Sequence, residues 1–525
     1  MYLRAGVFSL GLLLISRLLG LARESAQAAA FGASGMGDVV IVMFTLPDLL
    51  VGVLVSGALS YVLLPAWARQ ARIGRRPALT RLAVNLGLAA LAIGALLWVF
   101  RGAVVQALAP GLRGEMRALS ITSIGWSASV LPLAMVAALW ATRLQHERDF
   151  IGMYAGNLLV NMVLVAGLVA VGSAVWAAGA APAMVLATLG GCLVLAMLLR
   201  LLWLGWRLSS AKTKSTASAS ASASASASAS ASASASASAS ASVASDVSTS
   251  PAASVWLWAA LASSLALVLP LVARSVVSQS GEGALASFNY AWKLIELPLV
   301  LALQLVASLA FPALAATVPQ SPKRLQALQV AFALAWALAC AAAAVVATFS
   351  LPLASVLFGW GSMTPAGLEV IARWSAIGVW SLLPQALIAV LLTLMAITTR
   401  MQVAVVVYAC ALAGLLVFGF FGSSQGPGVM WALNVALAAA AAVLLVTERK
   451  DVASALPFVA LAAPLLVCVV LVLLKPLWLG ISLPVATGLA GGYALLVLAS
   501  GVASSPELRR LVLLKLKSRV HPSGA

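Results

Sequence analysis

Charged residues are scarce in this chain. Of its 525 residues, 8% are charged and 63% are hydrophobic, whereas soluble globular proteins carry about 25% charged residues. A surface with so little charge is not stable in water, so the composition excludes a soluble enzyme. One helical crossing of a bilayer takes roughly 20 apolar residues, so the chain has room for about a dozen or more spans. The composition therefore predicts an all-α membrane protein.

Cysteine and histidine are rare as well. The four cysteines lie singly in separate apolar stretches, and His146 and His521 fall in polar segments far apart in the sequence. Metal sites and thiol catalysts need such residues in close groups. The sequence also contains no Gly-rich phosphate loop, Walker motif or catalytic dyad. We therefore expect no catalytic residue, no metal and no cofactor, and these absences argue against transport driven by ATP hydrolysis within this chain.

Apolar stretches separated by polar breaks predict fourteen transmembrane helices. The predicted spans are 5–23, 37–64, 80–100, 119–142, 152–171, 181–205, 254–278, 286–315, 325–349, 367–396, 402–421, 428–446, 454–474 and 479–503. After the sixth span comes an uninterrupted Ala-Ser alternation at 217–242, whose side chains are too small to bury useful apolar area. The segment 206–253 around it is therefore predicted to be a disordered linker.

Basic residues outnumber acidic ones, with 31 Lys and Arg against 13 Asp and Glu. They concentrate after even-numbered spans, for example Arg75 and Arg76 after the second span and Lys212 and Lys214 after the sixth. Cytoplasmic loops of membrane proteins are enriched in Lys and Arg. We therefore expect the even connections and both termini in the cytoplasm, and the positive charge calls for no nucleic-acid partner.

Two of the spans share a proline pattern. The second span has Pro47 near its start and is followed by Pro65, and the eighth has Pro298 and Pro312 in corresponding places. With the linker between them, this pattern predicts two parallel six-helix repeats, a usual transporter design with the binding site at the repeat interface. The predicted units are a six-helix lobe (1–205), the linker (206–253), a second six-helix lobe (254–446), an appended pair of helices (447–505) and a basic amphipathic tail on the inner membrane surface (506–525).

Ionisable residues inside the apolar spans are candidates for function, because each costs about 2.5–3.5 kcal/mol at a helix centre. The candidates are Arg17, Arg23, Asp38, Asp48, Arg274, Lys293 and Glu296. Asp48 and Arg274 fit structural ion pairs, and Glu296 fits either role. Arg17, Arg23 and Lys293 favour ligand binding, because they outnumber the available carboxylates and lie at corresponding places in the two halves. The planar fork of arginine binds phosphate oxygens in a bidentate manner, so a phosphate or diphosphate is the expected ligand.

Three short motifs lie in the first, second and eighth spans. Residues 16–24 read SRLLGLARE, residues 44–50 read FTLPDLL, and residues 289–298 read NYAWKLIELP. Together with fourteen predicted helices and a joint after the sixth, these motifs closely resemble those of the MurJ/MviN family of lipid II flippases.

The resemblance implies an exporter fold of the bacterial inner membrane, in which two six-helix lobes form a V and the last two helices form a groove for a lipid tail. It implies that the chain moves lipid II, the undecaprenyl-diphosphate-linked peptidoglycan precursor, from the inner to the outer leaflet by alternating access. Membrane lipids and the cell-wall synthesis machinery are the other expected partners. The implied substrate-binding residues are Ser16, Arg17, Arg23, Asp38 and Lys293, where the family has arginine, with Asp48 and Glu296 as secondary candidates. In this site the three cations hold the diphosphate, and Asp38 orients an arginine or contacts the headgroup.

Besides Lys293, the chain departs from the family pattern at four positions. Val51, Gly52 and Ser56 stand where the family has one or two arginines and then a glutamate, and Trp292 replaces an acidic residue. The predicted cavity is still basic but has fewer charged groups, so another polyprenyl-diphosphate-linked glycan, such as an O-antigen or exopolysaccharide unit, is an alternative cargo. Two further alternatives are an ion-coupled small-molecule exporter of the same fold and a catalytically silent scaffold for envelope assembly. The insertion cost of the buried cations argues against the scaffold.

Overall fold

The computed structural model describes most of the chain as helix. It covers residues 2–53, 75–147, 149–226, 253–315, 322–398, 400–422, 425–453, 455–478, 480–510 and 513. Within these ranges no strand occurs, which agrees with the predicted all-α class. Ser56 and Pro65 lie outside the described residues.

The first half of the chain contains seven helices in the described ranges. They are α1 (Tyr2–Phe31), α2 (Gly35–Val53), α3 (Arg75–Val99), α4 (Arg101–Leu108), α5 (Gly114–His146), α6 (Phe150–Ala178) and α7 (Pro182–Ser226). Six of them coincide with the first six predicted spans. The short α4 lies in the third connection and, with 8 residues, cannot cross a bilayer.

Two helix ends differ from the prediction. α1 continues eight residues past 23, the predicted end of the first span, which brings Glu24 inside the helix. α7 continues to Ser226, so the first part of the predicted linker is helical rather than disordered. Alanine has the highest helix propensity, and half of the Ala-Ser tract is alanine. The remainder of the linker, 227–252, lies outside the described residues.

The second half contains the remaining helices. They are α8 (Ala253–Val277), α9 (Ala284–Ala315), α10 (Pro322–Phe358), α11 (Pro365–Gly378), α12 (Leu382–Ile397), α13 (Met401–Phe421), α14 (Gly426–Thr447), the short α15 (Arg449–Val452), α16 (Phe458–Leu473) and α17 (Leu483–Ser504). A 3₁₀ turn at Val379–Ser381 joins α11 to α12, and the two together form the tenth predicted span. In the described ranges, ten helices are long and apolar enough to cross a membrane.

One helix lies at the centre of each half. In the first half α5 packs against α2, α3 and α7, and in the second half α10 packs against α9, α11, α12, α16 and α17. Buried alanines recur every fourth residue along α10, at Ala331, Ala335, Ala339, Ala343 and Ala347. Small residues at this spacing form one stripe and let helices approach closely within a membrane. The composition of α10 therefore explains its central position.

The start of the C-terminal tail packs on the second half. Leu508 is buried in an apolar cluster with Ala333 of α10 and Ala460 of α16, whereas Arg509 and Arg510 are exposed. In the described portion, the start of the tail thus packs an apolar side chain against protein and leaves two basic side chains exposed.

Candidate functional site

The turn between α1 and α2 meets the start of α9. Asp38 is 1% exposed, and its carboxylate accepts hydrogen bonds from the backbone N–H groups of Gly283 at 2.8 Å and Ala286 at 2.7 Å. The first N–H groups of a helix have no partner within it and carry a positive partial charge. A carboxylate of the first half of the chain therefore caps a helix of the second half.

This position of Asp38 differs from both predicted roles. It was expected to orient an arginine or to contact the headgroup. Both of its oxygens instead face backbone N–H groups, and among the described residues no cation pairs with it. The sequence places Asp38 near the cations of α1, but nothing in the sequence indicates which helix start lies opposite.

Further contacts between the halves lie at this same end. The backbone N–H of Ser362 donates to the carbonyl of Ala29 at 2.8 Å, and the N–H of Gly111 donates to Oγ of Ser278 at 3.2 Å. A Cβ on Gly111 would lie 1.8 Å from the carbonyl oxygen of Ser278. Only glycine permits so close an approach of two backbones. The two halves are therefore in close contact where α1 ends and α2 begins.

A hydrogen-bonded charge network crosses the interface beside these contacts. The guanidinium of Arg23 donates to Glu24 at 2.8 Å and to Asp48 at 3.0 Å. The other oxygen of Glu24 accepts from the side-chain amide of Asn289 at 2.8 Å. The amide oxygen of Asn289 accepts from Arg274 at 2.9 Å. The network thus joins α1 and α2 of the first half to α8 and α9 of the second.

The other predicted cations lie close to this network. Lys293 is one turn along α9 from Asn289 and donates to Glu296 at 2.8 Å, and it is near enough to Glu24 for their charges to interact. Arg17 is exposed, beside the half-buried Ser16, and its charge acts on Glu296. The structure therefore brings cations of both halves to one place.

The charges of the site do not balance. Its cations are Arg17, Arg23, Arg274 and Lys293, and its carboxylates are Glu24, Asp48 and Glu296. The predicted excess of cations is present but small, and two of the three predicted phosphate-binding cations, Arg23 and Lys293, are ion-paired. An anionic ligand must therefore compete with carboxylates for these two cations.

Sequence reasoning missed two residues of the network, Glu24 and Asn289, and the buried Arg200. Glu24 was placed beyond the end of the first span, because the run of apolar residues stops there. Asn289 is neutral, so the cost of placing a charge in an apolar span does not identify it. Arg200 did give a signal, since it is an ionisable residue inside the sixth predicted span, and it is buried in the structure.

Two of the described departures from the family pattern make apolar contacts. Val51 packs against the core of the first half, and Trp292 stacks on Phe288 with ring centroids 6.3 Å apart. Ser56 lies outside the described residues. Among the residues that the structure does describe, no cluster of His, Cys, Asp or Glu is arranged to hold a metal ion.

Two packed helical halves, with ten helices in the described ranges long and apolar enough to cross a membrane, define a multi-pass helical membrane protein. The fold is similar to that of a multidrug resistance MATE family transporter of the MOP superfamily in an inward-facing conformation, at 16% identity and a TM-score of 0.60 over 84% of this chain and 95% of that one. It is also similar to the structure of the lipid II flippase MurJ in an inward closed conformation, at 15% identity and a TM-score of 0.69 over 94% of this chain and 98% of that one. At these identities the likeness establishes the fold.

The family model described as "Lipid II flippase MurJ" matches residues 27–498. The chain belongs to the lipid II flippase MurJ family, which confirms the resemblance inferred from the three motifs. A relative from Rickettsia prowazekii (strain Madrid E), described as a probable lipid II flippase MurJ, is 30% identical over 122 residues. That alignment covers 23% of this chain and 24% of the relative, so the chain matches about a quarter of its length.

Proposed function

We propose that this chain is a flippase that moves lipid II from the inner to the outer leaflet of the bacterial cytoplasmic membrane. The observation that carries this proposal is the charged site between the two halves, whose four cations outnumber its three carboxylates, in a chain that belongs to the lipid II flippase MurJ family. A lipid-linked diphosphate has an anionic headgroup and an apolar tail. The protein must shelter the headgroup while the tail stays in lipid.

The proposed headgroup site contains Ser16, Arg17, Arg23 and Lys293, with Asp48 and Glu296 as its internal counter-ions. Opposite charges in a partly buried site attract each other more strongly than in bulk water, because water screens them less. The carboxylates therefore keep the cations paired while the site has no ligand. A diphosphate carries more negative charge than a carboxylate and offers several oxygens to the guanidinium fork. It replaces the carboxylates as the partner of the cations.

Asp38 has a conformational role in this proposal. With both termini in the cytoplasm, the end at which α1 stops and α9 starts faces the periplasm. The cap from Asp38 to Gly283 and Ala286 then holds the periplasmic side closed. Release of the headgroup to the outer leaflet requires this cap to break. Alternating access is therefore a movement of a first lobe (1–205) against a second (254–446), which the linker (206–253) permits.

The last helices are proposed to contact the lipid tail. In the unit 447–505, many apolar side chains of α16 and α17 are exposed, including Val459, Leu466, Leu473 and Leu495. Exposed apolar side chains of this size suit membrane lipids and a polyprenyl chain. The basic tail 506–525 is proposed to lie at the inner membrane surface.

One observation favours a second cargo. Val51 and Trp292 make apolar contacts in place of charged groups, so fewer polar groups are available to read the sugar and peptide parts of the headgroup. The alternative cargo to lipid II is therefore another polyprenyl-diphosphate-linked glycan, such as an O-antigen or exopolysaccharide unit.

Reconstitution of the full chain in proteoliposomes with lipid II tests the function. We expect wild type to expose lipid II to the opposite leaflet, Arg23→Ala to lose this activity, and Arg113→Ala to keep it. Arg113 is exposed before α5, so its variant removes the same charge outside the network. Complementation of cells depleted of their essential lipid II flippase tests the same point in vivo. A folded wild-type chain that flips a different lipid-linked glycan but not lipid II would contradict the proposal.

A further inference from the structure

Three polar side chains form a stripe along α6. Tyr154, Asn157 and Asn161 follow one another at spacings of three and four residues, which places them on one face of the helix. Each is half-buried, and among the residues that the structure describes none forms a hydrogen bond with these side chains. An amide without a partner is costly in an apolar environment, and asparagine in a membrane normally bonds to a neighbouring helix. The free donors and acceptors of the stripe therefore call for a ligand.

The stripe faces α1 rather than α7. A Cβ on Gly20 of α1 would lie 4.0 Å from the side-chain amide nitrogen of Asn161. Further along the same face of α6, a Cβ on Gly172 would lie 3.3 Å from Cβ of Ala30. The opposite face of α6 packs on α7, where a Cβ on Gly156 would lie 3.4 Å from a leucine side chain. The stripe therefore lies on the side of α6 that meets the first helix.

These contacts also fix the register of α1 against α6. They come in the same order and at nearly equal spacing along both helices, so α1 and α6 run parallel. One turn before the first contact, Ser16 therefore lies level with Asn157. Arg17 follows Ser16 and is exposed, and its charge acts on the hydroxyl of Tyr154. The stripe thus lies directly beside two residues of the proposed headgroup site, Ser16 and Arg17.

A diphosphate bound by the site cations brings its glycan next to them. The side-chain amide of asparagine both donates and accepts hydrogen bonds, as the hydroxyl and acetamido groups of a sugar require. The ring of Tyr154 adds an apolar surface with a hydroxyl at its edge. We propose that Tyr154, Asn157 and Asn161 form a sugar subsite, which binds the sugar attached to the diphosphate. This inference rests on the proposed function, because it assumes that the neighbouring cations hold the diphosphate.

The measurement is the dissociation constant of the purified full chain for lipid II and for undecaprenyl diphosphate, two lipids that differ only in the glycan and its peptide. Asn157→Leu/Asn161→Leu replaces both amides by apolar groups of similar size, which a transmembrane helix accommodates readily. We expect this variant to bind lipid II about tenfold more weakly than wild type, and undecaprenyl diphosphate within about threefold of wild type. Tyr154→Leu should show the same selectivity. Arg23→Ala should weaken the binding of both lipids.

Asn434→Leu is the matched control. It makes the same change on α14, where the amide of Asn434 donates to the carbonyl of Ile377 at 2.8 Å within the second half. It should therefore leave the binding of both lipids within about threefold of wild type. Equal weakening of the two lipids by Asn157→Leu/Asn161→Leu would overturn the sugar subsite, and so would unchanged binding of lipid II.

Two outcomes separate this inference from the proposed function. A folded wild-type chain that binds neither lipid would refute the diphosphate site and the sugar subsite together. A wild-type chain that binds undecaprenyl diphosphate as tightly as lipid II would refute the sugar subsite alone. If the double variant fails to accumulate, Asn157→Leu and Asn161→Leu are measured singly. At least one of them must then weaken lipid II by about threefold or more relative to undecaprenyl diphosphate, and no selective loss in either would overturn the subsite.

Discussion

The side-chain amide of Asn289 donates a hydrogen bond to Glu24 at 2.8 Å. This contact joins α9 of the second half to α1 of the first, and it lies between Arg23 on one side and Arg274 on the other. A neutral amide is suited to this position because it donates to a carboxylate and accepts from a guanidinium at the same time. The contact therefore links the charges of one half to those of the other without adding a charge.

Asn289→Ala should weaken the interface between the halves. It leaves an oxygen of Glu24 and a donor of Arg274 without their partners, and an unsatisfied buried polar group costs about 1–3 kcal/mol. We expect a lower melting temperature and reduced transport. Asn434→Ala is the control, because Asn434 donates only within the second half, to the carbonyl of Ile377 at 2.8 Å. It should lower the melting temperature but leave transport near wild type. Equal loss of transport in both variants would contradict a specific role of Asn289.

Asp38→Asn should open the end of the molecule that is closed in this structure. The amide has one acceptor oxygen instead of two and no charge, and loss of a helix cap costs about 0.5–2 kcal/mol. The measurement is labelling of Ser287→Cys by a membrane-impermeant thiol reagent, in a background without the native cysteines. Ser287 is 4% exposed, so labelling should be slow in the parent and several-fold faster with Asp38→Asn. An unchanged rate would contradict a latch at Asp38.

Gly111→Ala should prevent the halves from closing. The added Cβ would lie 1.8 Å from the carbonyl oxygen of Ser278. This distance is shorter than any van der Waals contact, so the two backbones must separate. We expect transport to fall by about tenfold or more, as for other overpacked contacts. Gly102→Ala on α4 is the control, because no atom lies within 4 Å of its added Cβ. Similar flipping rates for the two variants would show that the halves do not meet closely at Gly111.

Lys293 and Arg23, two of the cations proposed to bind phosphate, should differ in their tolerance of substitution. Lys293→Arg should retain transport, since it keeps the charge beside Glu296 and adds a fork suited to phosphate. Arg23→Lys should lose most of it, because a single ammonium cannot reproduce the bonds that Arg23 makes to Glu24 and Asp48. We expect a loss of about tenfold or more. The measurement is the flipping rate of each variant, normalised to the amount of protein in the membrane. Faster flipping by Arg23→Lys than by Lys293→Arg would contradict the proposed site.

The orientation of the chain is tested by reporter fusions. A reporter inserted within 217–242, or fused at the C-terminus, should report a cytoplasmic location, because the even-numbered connections carry most of the basic residues. Deletion of most of the Ala-Ser tract should leave transport nearly unchanged, since its side chains bury little area. A periplasmic signal at either position would overturn the assignment of the closed end to the periplasm.

The predicted spans coincide with helices because the signal for them is local. A run of apolar residues in a membrane must be helical, since only a helix satisfies every backbone hydrogen bond within one segment. The sequence predicts Arg17, Arg23 and Lys293 as candidate site residues for a similar reason. The cost of a charge in an apolar span is a property of one residue and its immediate neighbours.

The tertiary structure decided which of these residues meet. Asp38 and Gly283 are 245 residues apart in the sequence, whereas partners within one helix lie only a few residues apart. Their contact therefore depends on how α2 approaches the start of α9. The partners of Glu24 and the close approach at Gly111 likewise depend on the packing of whole helices. Local sequence determines helices and the cost of placing charges in them, whereas the pairing of those charges is determined by packing between helices distant in the chain.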